Sequence, residues 1–483
     1  MPHWLLVLLL IPVGLYLLYW VLIAITAGRS KAGIVTSRFG RGLRIMGGIG
    51  RSMRRYFVRR VRRVLTRKSK REQLDREYHE ATAKAALDTM GNMKGALMKL
   101  GQIMSFMDDM MPEAYKQQLS KLQSQAPPMD YDVVVRVFRE ETGKDPEQVF
   151  AEFDEKSIAA ASIGQVHRAL TRKGEQVVVK IQYPGVDRAI AGDIKNTGML
   201  MMLAGAVTPT MDAGPIVREL QERLLEELDY ENEAKNQQLF RDLYADHPTI
   251  VIPRVYPELS TRRVLTSEYI EGRGFYEFVD SANDEQRRQA VRTLRDFVFD
   301  SLYFHNVFNG DPHPGNYLFM PDGRVAFLDF GCVKRFEAKF IADFKQLIRC
   351  YLEDDREAVY RQCIAMNFIK EKHSHKVDRD WLFEFSEPYY RPLLIDGPFE
   401  FTPEYCRETI TQMFGDNLRK LNMPPEYVML NRITFGLNSL MAKLGAKENW
   451  RRLSLKYFYP EAAAESARRP SSIAATTSTI PTT

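Results

Sequence analysis

The stretch Asn309–Arg335, NGDPHPGNYLFMPDGRVAFLDFGCVKR, limits what this chain can fold into more than any other. Its two short apolar runs, YLF and RVAFLDF, are joined by Pro-Asp-Gly, which is typical of a tight turn because proline presets φ and glycine permits the reversal. A loop with Asp311 and Asn316 precedes this predicted hairpin, and a loop with Asp329 follows it. The arrangement predicts that the three side chains surround one small space.

The types and order of these residues indicate phosphoryl transfer. Its transition state spreads negative charge over phosphate oxygens, and Mg²⁺ held by carboxylate and amide oxygens neutralises that charge. Four residues separate Asp311 from Asn316, and Asp329 opens an Asp-Phe-Gly, which matches the catalytic loop and metal loop of kinases. The alternative is an Asx-rich turn beside an ordinary hairpin, but the ordered trio favours the catalytic interpretation.

A strand lysine is the next requirement of kinase chemistry. The stretch SIAAASIGQVHRALTRKGEQVVVKIQ predicts strands separated by tight turns, and Lys180 ends the last of them. It resembles the lysine that steadies the α- and β-phosphates of ATP. The following stretch, ELQERLLEELDYENEAKNQ, predicts an acidic helix that offers Glu227, Asp229 and Glu233 as partners. Taken alone, each is better explained as an ordinary strand-end lysine or part of a solvated acidic face.

The glycine-rich loop that covers the phosphates in protein kinases is missing, and an alanine-rich loop stands in its place. Alanine methyls keep the backbone further from phosphate than glycine does, so this loop is expected to close differently. Downstream, RVLTSEYIEG predicts a strand that leads into a hinge whose backbone could meet adenine. The nucleotide-binding candidates are Ala159, Ala160, Ala161, Ser162, Lys180, Glu268, Tyr269 and Ile270.

The amino-terminal region predicts attachment to a membrane. Trp4–Ala27 is 24 residues of nearly unbroken apolar sequence, residues 1–28 carry no Lys, Arg, Asp or Glu, and residues 29–71 carry 16 Lys and Arg with no acid. This pattern predicts a single transmembrane helix with the main domain in the cytoplasm. A cleaved signal peptide is disfavoured by the uncharged first residues and the length of the run. The missing transit peptide favours a bacterial plasma membrane over an organelle.

The basic residues also suggest a partner. Arg51–Arg71 has apolar residues at helical spacing with arginines between them, which predicts an amphipathic helix on anionic membrane lipid. A solvated stop-transfer linker explains the segment equally well. The rest of the chain carries 52 basic and 62 acidic residues, which argues against nucleic acid as a partner.

Six motifs in register resemble the UbiB-type (AarF-like) atypical kinase family: LMKLGQ, AAASIGQVHRA, VVVKIQYPGV, EELDYENEA, NGDPHPGN and LDFG. The resemblance covers roughly Glu72 to Pro460. It implies an α+β, two-lobed protein-kinase-like fold that binds ATP or ADP with Mg²⁺. Members of that family support the metabolism of ubiquinone and related isoprenoid quinones, so quinone-pathway enzymes or an isoprenoid lipid are the implied partners.

The resemblance also implies roles for individual residues. Lys99, Gly101 and Gln102 match the K-x-G-Q motif, on an extra helix pair that folds over the place where a protein kinase receives its substrate. Without the resemblance, Lys99 and Gln102 are better explained as solvated polar residues.

The remaining matches concern the kinase-like body of the chain. Glu227 and Asp229 match the E-x-D motif that meets the K-x-G-Q helix, and Glu233 matches the glutamate paired with Lys180. Asp311 matches the catalytic aspartate that orients the attacking group. Asn316 and Asp329 match the metal ligands.

These inferences together predict the organisation of the chain. The expected segments are a transmembrane anchor (1–28), a basic juxtamembrane segment (29–71), the K-x-G-Q helical extension (72–130), a kinase-like N-lobe with inserted helices (131–272), a C-lobe (273–460) and a disordered tail (461–483).

The expected function is that of a membrane-bound ATP- and Mg²⁺-dependent enzyme. Because the K-x-G-Q helices would block a peptide substrate, ATP hydrolysis or phosphorylation of a small lipid is favoured over protein phosphorylation. A nucleotide-switched scaffold or lipid-extracting chaperone is the second hypothesis. A phosphotransferase of the aminoglycoside or choline type is the third, although it predicts neither LMKLGQ nor AAASIGQ.

Overall fold

The computed structural model describes residues 129–161, 163–187, 225–226, 228–413, 421–422 and 424–460. The predicted transmembrane helix, the basic segment, the K-x-G-Q helices with Lys99, Gly101 and Gln102, the loop residue Ser162, the E-x-D residue Glu227 and the predicted tail lie outside them. Within the described residues, no helix has both the length and the apolar character needed to cross a membrane.

The described residues form helices and strands in a mixed order. The helices are α1 (Tyr131–Thr142), α2 (Pro146–Val149), α3 (Tyr230–Leu243), α4 (Phe275–Ser281), α5 (Asp284–His305), α6 (Ala338–Leu352), α7 (Arg356–Ala365), α8 (Arg379–Leu394), α9 (Pro403–Met413), α10 (Pro425–Lys443) and α11 (Trp450–Phe458). The strands are β1 (Phe150–Phe153), β2 (Ala159–Ala160), β3 (Gly164–Thr171), β4 (Gln176–Gln182), β5 (Ile250–Val251), β6 (Val264–Glu268), β7 (Arg273–Gly274), β8 (Val307–Asn309), β9 (Tyr317–Phe319), β10 (Val325–Phe327), β11 (Val333–Arg335), β12 (Phe399–Glu400) and β13 (Lys447–Glu448).

The chain divides into two compact units. Unit 1 takes the described residues up to His247, together with Val251–Gly272 and Ala326–Cys332. Unit 2 takes Pro248–Ile250, Arg273–Val325 and the described residues from Val333 onward. The division falls inside β5 and β10, so the segment that carries Asp329 belongs to unit 1.

Unit 1 is built on an antiparallel sheet in the order β1-β3-β4-β6, with β2 paired to β3. In β4, Val177, Val179 and Ile181 are completely buried in a core that also contains Phe138 of α1. Because side chains alternate between the faces of a strand, Lys180 projects from the opposite face. The apolar alternation of β4 therefore fixes the direction of this lysine.

Unit 2 is mainly helical around the 22-residue helix α5. This helix begins with a capping box between Asn283 and Gln286 and ends at Asn306, which has a left-handed φ of +54°. Its core joins α5 to α6, α7, α8, α10 and α11. Unit 2 also contains three short antiparallel strand pairs, β7 with β9, β8 with β11 and β12 with β13.

The turn predicted from Pro-Asp-Gly forms in unit 2. The Met320 N–H donates to the Arg324 carbonyl at 2.9 Å, and the Gly323 N–H donates to the Met320 carbonyl at 3.1 Å. Gly323 has φ +87°, a left-handed conformation in which glycine carries no steric cost. The glycine of the sequence pattern is therefore what the turn geometry requires.

The acidic stretch before the hinge differs from its prediction. Helix α3 begins at Tyr230, and Asp229 precedes it with a non-helical backbone, φ −120° and ψ 88°. The Asp229 carboxylate accepts from the Asn232 N–H at 3.0 Å, which makes it the N-cap. The prediction of one continuous helix through Asp229 and Glu233 was wrong. The Asp229 side chain accepts a hydrogen bond from an N–H group of the first turn, and this favours the start of a new helix after it.

Gly164 gives a test of the sheet in unit 1. A Cβ at this position would lie 2.2 Å from the Ile181 carbonyl oxygen, closer than any real contact. We expect Gly164→Ala to lower the free energy of unfolding by about 2 kcal/mol, because β3 and β4 must separate. Urea unfolding of the purified variants measures this. Gly274→Ala, where a Cβ meets nothing within 4 Å, is the matched control. Equal midpoints for the two variants would contradict the packing argument.

Candidate active site

The centre of unit 1 is an ion pair between a strand and a helix. Lys180 Nζ on β4 donates to Glu233 Oε1 at 2.9 Å and to Oε2 at 3.1 Å. The Glu233 side chain is only 3% exposed and that of Lys180 16%, so both charges are largely removed from water. Burying either charge alone would be strongly unfavourable, so each requires the other.

A second carboxylate approaches the same lysine. Asp329 Oδ2 lies 3.5 Å from Lys180 Nζ, and the Tyr230 ring centroid lies 4.9 Å from it. Burial by itself would lower the pKa of Lys180, but the carboxylates of Asp329 and Glu233 outweigh it and raise that pKa well above the usual value. Lys180 is therefore a permanent cation at neutral pH. Asp329 is 28% exposed and is the most accessible of the three charges.

One face of α3 holds the segment that carries Asp329. Asn236 Nδ2 donates to the Phe330 carbonyl at 3.2 Å, and the rings of Phe240 and Phe330 lie 5.1 Å apart. Asn236 and Phe240 follow Glu233 by three and seven residues, which places all three on one face of the helix. The sequence prediction missed Asn236 and Phe240, although this spacing was a signal for both.

The Asp-Phe-Gly turn is also fixed from within. The Gly331 N–H donates to Asp329 Oδ1 at 3.0 Å, which leaves Oδ2 as the oxygen nearest to Lys180. Phe330 is completely buried. The turn therefore has a buried ring on one side and a carboxylate of defined orientation on the other.

Unit 2 brings together Asp311 and Asn316. Asn316 Nδ2 donates to the Asp311 carbonyl at 3.0 Å and lies 3.4 Å from Asp311 Oδ2. The short turn Pro314–Asn316 between them is capped by His313, whose Nδ1 accepts from the Gly315 N–H at 3.0 Å. Because its amide nitrogen donates to Asp311, the carboxamide oxygen of Asn316 is the atom available to a cation. The grouping of this pair with Asp329 stays a prediction.

A helix far along the chain supports the Asp311 loop. A Cβ on Gly436 of α10 would lie 2.3 Å from Pro312 Cγ, so the helix backbone packs directly against the loop. Glycine in a helix interior is normally unfavourable, and here the close approach explains it. No sequence pattern pointed to this residue.

The alanine-rich loop is a β-hairpin. Ala159 pairs with Val166 and Ala160 with Gln165, and the Ala161 N–H donates to the Gly164 carbonyl at 2.9 Å. Ala159 and Ala160 are exposed. The glycine of this motif, Gly164, is required by the strand contact described above rather than by a phosphate.

A buried polar chain lies beneath the hairpin and was not predicted. Gln165 Oε1 accepts from the Met129 N–H at 2.7 Å, and Gln165 Nε2 lies 2.8 Å from His167 Nε2. His167 Nδ1 lies 2.8 Å from the Asp154 carbonyl, so it must be the donor and Nε2 the acceptor. Burial lowers the pKa of His167, which keeps the ring neutral as this chain requires.

The predicted hinge is partly occupied by the sheet. The Glu268 N–H donates to the Arg254 carbonyl at 2.8 Å, and the Tyr269 N–H donates to the Gln176 carbonyl at 3.1 Å. The Arg168 guanidinium lies over the Tyr269 ring at 4.4 Å. The Ile270 N–H and the carbonyl groups are therefore the atoms of this segment that could meet adenine.

Comparison with known proteins decides the family. The profile of the ABC1 atypical kinase-like domain matches residues 121–363, half of the chain. The chain belongs to the ABC1 atypical kinase-like family. The resemblance to UbiB-type, AarF-like kinases is thereby confirmed, as is the kinase-like α+β fold.

Several relatives of this family align with the chain. Atypical kinase COQ8, mitochondrial, of Saccharomyces cerevisiae is 28% identical over 375 residues, 76% of this chain and 74% of that protein. AarF domain-containing protein kinase 1 of Xenopus tropicalis is 31% identical over 316 residues, 63% of this chain and 59% of its own length. The chain thus spans about three fifths of the Xenopus protein.

A solved structure has the same fold. Rv3197 of Mycobacterium tuberculosis, determined as its complex with erythromycin, superposes with a TM-score of 0.60 at 30% identity. The match covers 80% of this chain and 98% of that one.

The ion pair of this ABC1 chain predicts a large effect of one glutamate. We expect Glu233→Gln to lower the free energy of unfolding by about 2 kcal/mol, because it leaves the buried charge of Lys180 without its nearest partner. Glu231→Gln, on the same helix but exposed, should change it by less than about 0.5 kcal/mol. Urea unfolding at pH 7 and above compares them. The greater free energy of unfolding of the wild type over Glu233→Gln is present below about pH 10. It is lost as pH rises through the elevated pKa of Lys180. Similar losses for both variants would refute the assignment.

The neutral His167 predicts a dependence of stability on pH. Its folded pKa is below the unfolded value near 6.5, so the unfolded chain binds the extra proton as pH falls through that value. Between pH 7.5 and 5.5 this should cost about 1 kcal/mol of unfolding free energy. The unfolding free energy should depend less on pH in His167→Gln than in the wild type. Urea unfolding at each pH measures this dependence. Identical slopes would show that folding leaves the pKa of His167 unchanged, which would contradict its burial in a neutral form.

Proposed function

We propose that this protein is a membrane-bound atypical kinase or ATPase that binds Mg-ATP through unit 1. The observation that carries the proposal is the position of Lys180, 2.9 Å from Glu233 and 3.5 Å from the more exposed Asp329. A buried lysine between two carboxylates is suited to phosphoryl transfer, because its charge is held in place for phosphate oxygens and the more exposed carboxylate can bind a cation.

The residues present are suited to magnesium. Asp329 offers a carboxylate and Asn316 a carboxamide oxygen, both hard oxygen donors. Among the described residues, no group of three or more His, Cys, Asp or Glu could hold a metal by itself. This agrees with Mg²⁺, which usually takes one or two protein carboxylates and fills its shell with water and substrate phosphates. Bound magnesium would neutralise the charge that develops during phosphoryl transfer.

Each side chain has a defined task under this proposal. Lys180, protonated at neutral pH, would bind the α- and β-phosphates while Glu233 keeps its ammonium in position. Asp311 would orient the attacking hydroxyl or water and accept its proton. Its carboxylate is steadied by Asn316 Nδ2 at 3.4 Å. The exposed hairpin of Ala159 and Ala160 would cover the nucleotide less tightly than a glycine loop.

The biological role proposed is support of ubiquinone or related isoprenoid-quinone metabolism, or of lipid homeostasis. The family membership and the similarity to Atypical kinase COQ8 support this role. The apolar residues 4–27 and the basic residues 29–71 support a single-pass position in a bacterial plasma membrane, with anionic lipid as a partner. A nucleotide-switched scaffold remains the second candidate, favoured by the alanine-rich hairpin.

Phosphate release from Mg-ATP tests the proposal. The full chain, with and without anionic liposomes, should release phosphate, and Asp329→Asn should reduce the rate by at least about 100-fold because a metal ligand is lost. Asp322→Asn is the matched control, since Asp322 lies in the hairpin turn and binds only Arg324 among the partners seen there. The control should keep the wild-type rate.

Nucleotide binding separates the enzyme from the scaffold. Asp311→Asn should bind a fluorescent ATP analogue with wild-type affinity and release no phosphate. If the wild type also binds nucleotide without turnover under both lipid conditions, the enzyme proposal fails and the scaffold takes its place. If Lys180→Met binds nucleotide as well as the wild type, the assignment of unit 1 as the phosphate site fails.

A further inference from the structure

A short segment of unit 2 between α7 and α8 concentrates positive charge on the surface. Residues 370–376, KEKHSHK, consist of a 3₁₀ helix and the residue before it, and we call them the basic turn. Its three lysines and one glutamate leave an excess of two positive charges with both histidines neutral. The chain outside residues 1–71 has the opposite balance, with 52 basic against 62 acidic residues. All five basic side chains of the turn are exposed: Lys370, Lys372, His373, His375 and Lys376.

The period of a 3₁₀ helix sorts the side chains of the basic turn into three rows. Residues three apart lie one above the other, and neighbouring rows are about 120° apart. One row consists of Glu371, Ser374 and Val377, and it faces the body of unit 2 because Val377 is buried and Ser374 is half-buried. The other two rows point away from the body. They consist of the five basic side chains and contain no acid.

The body of unit 2 holds the basic turn in place. Ile369 before the turn and Val377 after it are both buried in the core of unit 2. Between them, the Tyr360 hydroxyl donates to the Ser374 carbonyl at 2.8 Å. The basic side chains therefore project from a backbone whose position is fixed at both ends and in the middle.

Acids close to the basic turn in the sequence have other partners. Asp380 pairs with Arg356 at 2.7 Å, and Glu357 pairs with Arg379 at 2.5 Å. Asp378 accepts from a backbone N–H of α8 at 2.8 Å. Within the part of the chain that the structure describes, none of the five basic side chains of the turn forms a hydrogen bond or an ion pair. Their charge is therefore available to a partner.

The shape of the basic turn indicates the class of that partner. A single phosphate group or metal ion requires several groups that converge on it, but the two basic rows diverge from each other. Among the described residues, no group of three or more His, Cys, Asp or Glu could hold a metal. An anionic membrane spreads its charge over an area and attracts nearby lysines without any pocket. The basic turn fits this kind of surface.

We propose that the basic turn is a second membrane contact, at which unit 2 rests on the anionic headgroups of the bilayer. The proposal rests on the membrane attachment proposed above, which keeps unit 2 near the bilayer at a high effective concentration. The contact restricts how unit 2 is oriented on the membrane, because the rest of its chain has no comparable excess of positive charge to offer. A soluble polyanion is the competing partner.

Lysine acylation tests the contact on the unaltered full chain. The chain is placed in nanodiscs of phosphatidylcholine, alone or with about one third phosphatidylglycerol, and treated with a water-soluble succinimidyl ester. The lysines of the basic turn should react about threefold more slowly in the anionic discs, because the surface blocks the reagent and favours the charged amine. Lys339 and Lys447, which pair with Asp343 and Glu400, are exposed control lysines and should react equally in both discs. Equal slowing at turn and control lysines, or no slowing, would overturn the proposal.

A charge variant tests which side chains make the contact. A fluorescent label that brightens in apolar surroundings is attached at Glu371→Cys, and it is specific because all four native cysteines are buried. Anionic discs should brighten the label about twofold. The brightening should disappear in the triple variant Lys370→Gln, Lys372→Gln, Lys376→Gln. It should remain in the matched control, which changes three exposed lysines elsewhere: Lys144→Gln, Lys173→Gln, Lys447→Gln. Loss of brightening in the control, or its survival in the turn variant, would refute the role of these lysines.

Salt and a soluble polyanion separate the membrane from its competitor. About 1 M NaCl should abolish the slower acylation in anionic discs, because exposed charges are then screened within about 3 Å. Polyphosphate added to neutral discs should slow acylation of the turn less than phosphatidylglycerol does. Slowing by polyphosphate that equals or exceeds the effect of the anionic discs would make a soluble polyanion the partner and overturn the proposal.

The same experiments distinguish this contact from the function proposed above. None of them uses ATP, so the absence of enzyme activity would leave their outcome unchanged. A chain that fails to enter neutral discs would overturn the membrane attachment and this proposal together. Entry into the discs with unchanged lysine reactivity would overturn the contact at the basic turn alone.

Discussion

Unit 1 depends on the buried positive charge of Lys180. Water would stabilise this charge better than the protein interior does, but the fold largely excludes water from it. Lys180 is held in the interior because Glu233 contacts it at 2.9 Å, and the two side chains are only 16% and 3% exposed. The ion pair adds little net stability, because the cost of removing both charges from water offsets most of their mutual attraction. Its main effect is to fix the position of strand β4 relative to helix α3. Strand β4 and helix α3 cannot shift relative to each other without leaving a buried charge unpaired.

Helix α3 connects this pair to the Asp-Phe-Gly turn. The same face that carries Glu233 also carries Asn236 and Phe240, which contact Phe330. Asp229 caps the helix at its first turn, so an acidic residue of the E-x-D motif has a structural task of its own. A change in where α3 begins would therefore alter the positions of both Lys180 and Asp329, because residues of α3 contact Lys180 and the turn that carries Asp329.

The sequence predicted the features that depend on residues close together in the chain. The Pro-Asp-Gly turn, the alternation of β4 and the spacing from Asp311 to Asn316 all follow from neighbours within a few residues. Contacts between distant segments gave no such signal: Gly436 against Pro312 and Met129 against Gln165 arise only once the chain is folded. The placement of Ala326–Cys332 in unit 1 belongs to the same class. Asp229 was misplaced because acids at helical spacing look alike inside a helix and at its start.

The contact of Gly436 with Pro312 has a practical consequence for anyone who wants a hardier version of this protein. Replacing helical glycines by alanine is a routine way to raise thermal stability, since alanine is the better helix former by about 1 kcal/mol. At Gly436 the added methyl would meet proline at 2.3 Å and push α10 away from the Asp311 loop. A consensus or computational redesign that ranks substitutions by helix propensity would select this change and lose the loop geometry.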